Sequence, residues 1–192
     1  MAMSKKTLYR LSSLAGILSG LCIIVGKLLI PLPNRQIGEI FDFFSPFFAL
    51  FFAVGLYLSQ RRESGIFGGI AFIALFMGLA VVVSLDYFGA FIAPYLAEEV
   101  VDQILESPTG VVAAVSGLVF LIGEILFGIS VMRAGVFSKI ASILFIVGMF
   151  LVPLGGILPE SAVVIGSIIA GVGLIWWGVE LYQRANRGLD LE

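Results

Sequence analysis

Histidine is absent from this 192-residue chain and cysteine occurs once. The first absence excludes His-ligated haem, ordinary His-bearing zinc and copper sites, Ser-His-Asp catalysis and imidazole proton relays, because each needs an imidazole. The second excludes an intramolecular disulfide and any thiolate zinc or iron–sulfur site, since Cys22 has no second thiol to work with. Charge is scarce as well. Asp, Glu, Lys and Arg make up 12% of the residues, where soluble domains carry about a quarter, and their formal sum is −2. No basic stripe results, so nucleic acid is not an expected partner. No motif for a nucleotide, metal or other cofactor stands in the sequence, and none is expected.

What the chain has is apolar length. Hydrophobic residues reach 60% and mean hydropathy is +1.12, which makes lipid the expected solvent. Six uncharged or nearly uncharged runs cover 11–26, 43–60, 64–85, 107–132 with Glu124 inside it, 140–159 and 161–179. A helix needs roughly 20 apolar residues to cross about 30 Å of hydrocarbon, and each run meets this once its flanking residues snorkel. The runs are continuous rather than alternating, which excludes a β-barrel. The reading is an all-α, polytopic membrane bundle of six transmembrane helices in one domain over 1–192. The helices fall at approximately 8–30, 40–60, 64–90, 109–132, 137–158 and 161–183.

Six helices return both termini to one side. Lys5, Lys6, Arg10, Arg61, Arg62, Arg133, Lys139, Arg184 and Arg187 then share that side, against Lys27 and Arg35 on the other. The bias predicts a multi-pass protein of the cell membrane, bacterial inner membrane in type, with both termini cytoplasmic. The first run follows Lys5, Lys6 and Arg10 as a signal peptide would, but no small-x-small cleavage site follows it, so it reads as a retained anchor. Met1-Ala2 and Leu191-Glu192 have a vector-derived look and are set aside.

Connections are short: tight turns at 61–64 and 133–139 on the basic side and a stiff turn at 31–35. The exception is 94–108. There Ala97, Val101, Ile104 and Leu105 recur at helical spacing while Glu98, Glu99, Asp102 and Glu106 fall mainly opposite. This predicts a short amphipathic helix over 95–106 on the outer surface, either a solvated connector or a lid, cation-binding face or partner surface.

Three hairpins are suggested by recurring spacings. An aromatic residue stands eleven positions before Gly and a large apolar residue in the outward-running helices: Tyr9 with Gly20-Leu21, Phe67 with Gly78-Leu79, Phe137 with Gly148-Met149. A small residue stands three positions before Leu-aromatic in the inward-running ones: Ala53, Gly123 and Gly178. Gly16-x-x-x-Gly20, Gly65-x-x-x-Gly69, Gly166-x-x-x-Ala170 and Ser167-x-x-x-Gly171 offer flat faces for close helix approach. The stripe Phe44, Phe47, Phe48, Phe51 and Phe52 reads as lipid-facing or packed, with a hydrophobic ligand groove as the alternative. Trp176, Trp177 and Tyr182 read as an interfacial belt. Pro46, Pro153 and the pair Gly155-Gly156 are expected to interrupt helices two and five.

Ionisable residues at membrane depth are the functional candidates, because each costs at least ~2.5–3.5 kcal/mol at a helix centre. An outer polar cluster of Lys27, Glu39, Asp42 and Asp86 is expected, with Lys27 and Asp86 at similar height and able to pair. It reads either as interfacial salt bridges or as the vestibule for a cationic or zwitterionic solute. Glu124 stands alone, roughly 13 Å from the basic boundary, and is the candidate intramembrane proton or ion site; the structural alternatives are a protonated acid hydrogen-bonded to a hydroxyl, to Trp177 or to a backbone carbonyl, or one that reaches a water-filled pocket with no transport role. Glu180 lies near enough to Arg184 to pair at i+4.

The chain lacks the Lys in its last helix that a retinal protein needs and the acidic-basic signatures of mitochondrial-type carriers, although a three-hairpin plan is similar to theirs. Three classes of function remain: a small transporter or channel using Glu124, a non-catalytic membrane subunit or scaffold presenting the acidic outer helix, and, weakest, a lipid-active intramembrane enzyme. The expected partners are the bilayer, a small cation, a proton or a hydrophobic ligand, and a second copy or a membrane partner protein.

Overall fold

The computed structural model describes residues 4–33, 35–152 and 158–188, and among these there are helices and turns but no strand. In chain order the helices are α1 (Lys5–Leu29), α2 (Arg35–Phe91), α3 (Glu98–Glu106), α4 (Pro108–Ala134), α5 (Lys139–Leu151) and α6 (Glu160–Arg187), with a 3-10 turn at Ala93–Tyr95 before α3. Local chemistry sets several ends. Ser4, Ser107 and Ser138 accept hydrogen bonds from the first-turn amides of α1, α4 and α5, and Pro108 opens α4 where no N–H is needed. The turn at 133–139 narrows to Gly135, which closes α4 in the left-handed conformation at φ 68°.

α2 is a hairpin rather than one rod. At Gly65 the backbone leaves helical geometry with φ 56° and ψ −152°, a conformation open to glycine and strained for other residues. The chain doubles back there: Tyr57 stacks on Phe72 with ring centroids 4.6 Å apart, and Phe43 meets Phe91 at 5.3 Å. The two arms, 35–64 and 66–91, correspond to the predicted helices at 40–60 and 64–90. Each arm, at 1.5 Å rise per residue, is roughly 40 Å long. Gly65-x-x-x-Gly69 is therefore a turn, not a packing motif. Pro46, expected to interrupt the first arm, is buried inside a helix that continues through it, because its neighbours are themselves packed and only one backbone bond is given up.

Sequential rods are spatial neighbours, and the ring closes where α6 meets α1. Glycine makes most of the seams. Gly26 and Gly38 face each other between α1 and the first arm, Gly78 and Gly123 bring the second arm against α4, Gly128 receives Ile146 of α5, Gly148 and Gly166 join α5 to α6, and Gly171 and Gly20 join α6 to α1. At these seams an added Cβ would lie 2.3–3.0 Å from a neighbour, distances real Cβ atoms do not adopt. The motifs at Gly16/Gly20, Gly166/Ala170 and Ser167/Gly171 thus serve helix packing.

The interior mixes large apolar side chains, among them Phe52, Leu56, Phe127 and Trp177, with small hydroxyls, and the outer surface is large and apolar. Ser12, Ser13, Ser19, Ser45, Ser130, Ser142 and Ser167 are buried, while Leu11, Leu14 and Leu18 on α1 and Val111, Val115, Leu118 and Ile122 on α4 are exposed. Such a surface is intolerable in water and ordinary in lipid. α1, α2, α4 and α6 are long and apolar enough to cross a membrane, consistent with a membrane protein. α5 runs 13 residues, shorter than its predicted span of 137–158; Pro153 and Gly155-Gly156 lie outside the described residues.

Contacts between the rods collect the basic residues at one end. Arg10 donates to Asn186, joining the start of α1 to the end of α6, Arg184 donates to the carbonyl of Val136 at 3.2 Å, and Arg133 lies over the Phe67 ring at 5.1 Å. α3 lies at the opposite end against α4, with none of its residues buried.

Candidate functional site

A cavity runs into the ring from the end opposite the basic one. All six rods line it, from Lys27, Asp42 and Asp86 at its mouth, past Ser19 and Ser45, to Glu124, Phe127, Phe145 and Trp177 at its floor. It offers about 120 Å³ to the centres of water-sized spheres, where one water needs roughly 10–15 Å³ by that measure. Room for several waters or one small solute follows.

Helix register sets its depth. Gly123 abuts the backbone of Ala74 and Leu75, so Glu124 lies at their level, and Asp86 lies roughly 17 Å further along the same arm. Phe43 contacts Tyr87 as well as Phe91, which puts Asp42 at the height of Asp86. The polar cluster and the lone acid, separate in the sequence, are two ends of one chamber.

At the mouth Lys27 pairs with Asp42, not with Asp86 as expected from height alone. The reason is the glycine seam: Gly26 sits against the backbone of Gly38 and Asp42, so Asp42 is the carboxyl that α1 reaches first. Both side chains keep about a fifth of their surface exposed, so the mouth is wet. Asp86 adds a second carboxyl, and the mouth is not cationic. Glu39 does not join this group. It accepts from Arg35 at 2.8 Å on the rim, outside the cavity, because Arg35 stands one turn before it at i−4 and engages its carboxylate.

The floor has a different character. Glu124 is 4% exposed, and its Oε2 has no hydrogen-bond partner among the described residues. Phe120 and Phe127 lie one turn before and after it on the same face of α4, and across the chamber the Phe145 and Trp177 rings meet at 4.8 Å. Trp177 is fully buried, and its Nε1 is also without a partner among the described residues, so the interfacial reading fails for it, whereas Trp176 is exposed. The signal was in the spacing: Gly166, Ala170, Gly173 and Trp177 share one helix face, the face the small residues mark as packed. Of the Phe stripe, Phe44, Phe47 and Phe51 face outward while Phe52 turns in against Gly16 and lines the cavity.

Beyond Glu124, toward the basic end, the bundle is shut. Leu56, Val131 and Leu181 are at most 1% exposed. Among them lie Gln60, Ser64 and Ser130, whose buried polar atoms lack partners; Ser64 and Ser130 converge on Gly68. Sequence reading missed this trio, because Gln and Ser inside apolar runs carry no charge to betray them. Glu180, near the basic end, accepts from the Ser138 amide at 2.9 Å and from Trp176 Nε1 at 3.0 Å, which caps α5 rather than serving the cavity. Among the described residues no group of three His, Cys, Asp or Glu gathers closely enough to hold a metal ion. No family model, curated protein or solved structure matches this chain.

Proposed function

We propose that the chain is a six-span membrane protein of bacterial type that moves a small solute through this cavity, with Glu124 as its intramembrane proton or ion site. The observation that carries the reading is the continuity of one chamber from the Lys27, Asp42 and Asp86 mouth to an otherwise unpartnered carboxyl. A chamber open at one end and shut at the other by tightly packed Leu56, Val131 and Leu181 is what one state of an alternating-access cycle requires. The two arms of α2, with α1, α4, α5 and α6, supply the six spans. The basic end is the cytoplasmic one by charge bias, so the mouth faces outward.

A three-hairpin plan is supported in two of its units. Gly78 packs on Phe120 and Gly148 on Ala170, and Arg133 lies over Phe67 as Arg184 lies over Phe137. In the first unit Gly20 packs on Gly171 instead, across the closing seam.

The test is flux. Purified protein in proteoliposomes with an imposed pH gradient should move protons or dissipate a cation gradient, and Glu124→Gln should abolish that movement while leaving the thermal unfolding profile intact. Equal flux from the variant would remove Glu124 from the mechanism. A second reading, a membrane subunit that docks a partner through α3, is favoured by the exposure of Val100 and Leu105 beside four carboxylates on that helix. It predicts no flux in either protein.

A further inference from the structure

We propose that the floor of the cavity is a binding site for a small hydrophobic ammonium. Its charge meets Glu124, and its apolar body lies against Phe120, Phe127, Phe145 and Trp177. The inference deepens the transport reading, on which it rests only in taking the cavity as a ligand site.

The first support is the orphaned Oε2 of Glu124. A carboxylate removed from water needs strong donors, and among the described residues no cationic side chain reaches it: the Lys27 ammonium is engaged by Asp42 near the height of Asp86, roughly 17 Å away along the helices, and the Trp177 Nε1–H in the same chamber is a neutral donor that leaves the charge uncancelled. A cationic donor carried by the ligand forms a charge-assisted hydrogen bond and cancels the buried charge at once. The second support is the company Glu124 keeps. Aromatic faces attract cations, and at the floor Phe120, Phe127, Phe145 and Trp177 lie around Glu124 while the other two acids of the chamber, Asp42 and Asp86, stand at its mouth; rings around one acid are the combination that selects an ammonium over a neutral molecule of the same shape.

The remaining observations narrow the ligand. An inorganic cation needs several oxygens to replace its water, and the floor offers one carboxyl among apolar walls with no second acid gathered beside it. Anions meet two carboxyls and one engaged ammonium at the mouth. The volume, about 120 Å³, is near the roughly 150 Å³ of a cavity known to hold benzene. A monovalent amine on one aromatic or branched aliphatic group fits these limits.

Three probes of one shape test the inference: benzylamine, benzyl alcohol and benzoate, titrated onto the full chain in lipid nanodiscs. The chain has two tryptophans, so Trp176→Phe leaves Trp177, in the site, as the only indole reporter. Benzylamine should change Trp177 emission saturably and bind at least tenfold more tightly than benzyl alcohol, with no saturable response to benzoate. In Glu124→Gln that tenfold preference should vanish while alcohol binding persists. Equal affinity for amine and alcohol in the parent protein would overturn the proposal whether or not the variant folds, and so would a preference that survives in a folded Glu124→Gln. Amine binding without flux in proteoliposomes would uphold this site and sink the transport reading. Glu124-dependent flux with no amine binding would do the reverse.

Discussion

At the mouth of the cavity Lys27 and Asp42 have each other and partial exposure; at the floor Glu124 has, among the described residues, neither a counter-ion nor a hydrogen-bond donor for its Oε2. Both places hold carboxyls on helices of similar composition, roughly 17 Å apart along the second arm of α2. What separates them is packing. At the mouth, Lys27 and Asp42 face one another and stay about a fifth exposed, so their desolvation is partial. At the floor, glycine contacts press α4 onto the second arm, aromatic rings line the flanks, and among the described residues Lys27, at the mouth, is the only Lys or Arg in the cavity lining. A charge placed by the first environment is a structural pair. A charge placed by the second is costly unless something enters to meet it.

The contrast can be broken most severely at the seam that builds the floor. A Cβ on Gly123 would lie 2.8 Å from the Ala74 and Leu75 backbone, which cannot yield as a flexible side chain does. Gly123→Leu should therefore part α4 from α2 and cost about 3 kcal/mol or more, read as loss of a monodisperse folded species in detergent. Gly117→Leu on the same helix meets open space and should leave the profile unchanged. Equal behaviour of the two would refute the glycine-seam account.

The mouth should respond less. Lys27→Met leaves Asp42 and Asp86 without their ammonium and should destabilise by about 1–3 kcal/mol, reduced from the fully buried range by the exposure of the pair. Adding Asp42→Leu should recover most of the loss, and a double-mutant cycle by thermal unfolding would measure the coupling. The smallest effect belongs to the rim. Arg35 is 72% exposed, and Arg35→Ala should change stability by less than ~0.5 kcal/mol and leave flux and amine binding unaltered. A large effect there would place Glu39 in the vestibule after all.

Much of the molecule was legible in the chain. The apolar runs marked every long helix, Ser107-Pro108 marked the start of α4, and the amphipathic 95–106 segment formed as α3 over Glu98–Glu106. Five judgements did not survive: the partner of Lys27, the membership of Glu39, the interfacial place of Trp177, the break at Pro46 and the packing role of Gly65-x-x-x-Gly69. Each depends on which helix stands beside which. Gly26 and Gly38 were both in view as residues, but nothing local says that one faces the other.

Sequence by itself determined that this chain is helical, apolar in its long segments and basic at one end of them, because hydropathy, helix length and the spacing of Lys and Arg are properties of single segments. Only the tertiary structure decided that the rods close into a ring, that Lys27 meets Asp42, and that the mouth carboxyls and Glu124 share one chamber. The physical reason is that in lipid the outward and inward faces of a helix are both apolar, so hydrophobicity alone does not choose between them. Close backbone approach at glycines hundreds of atoms apart makes that choice.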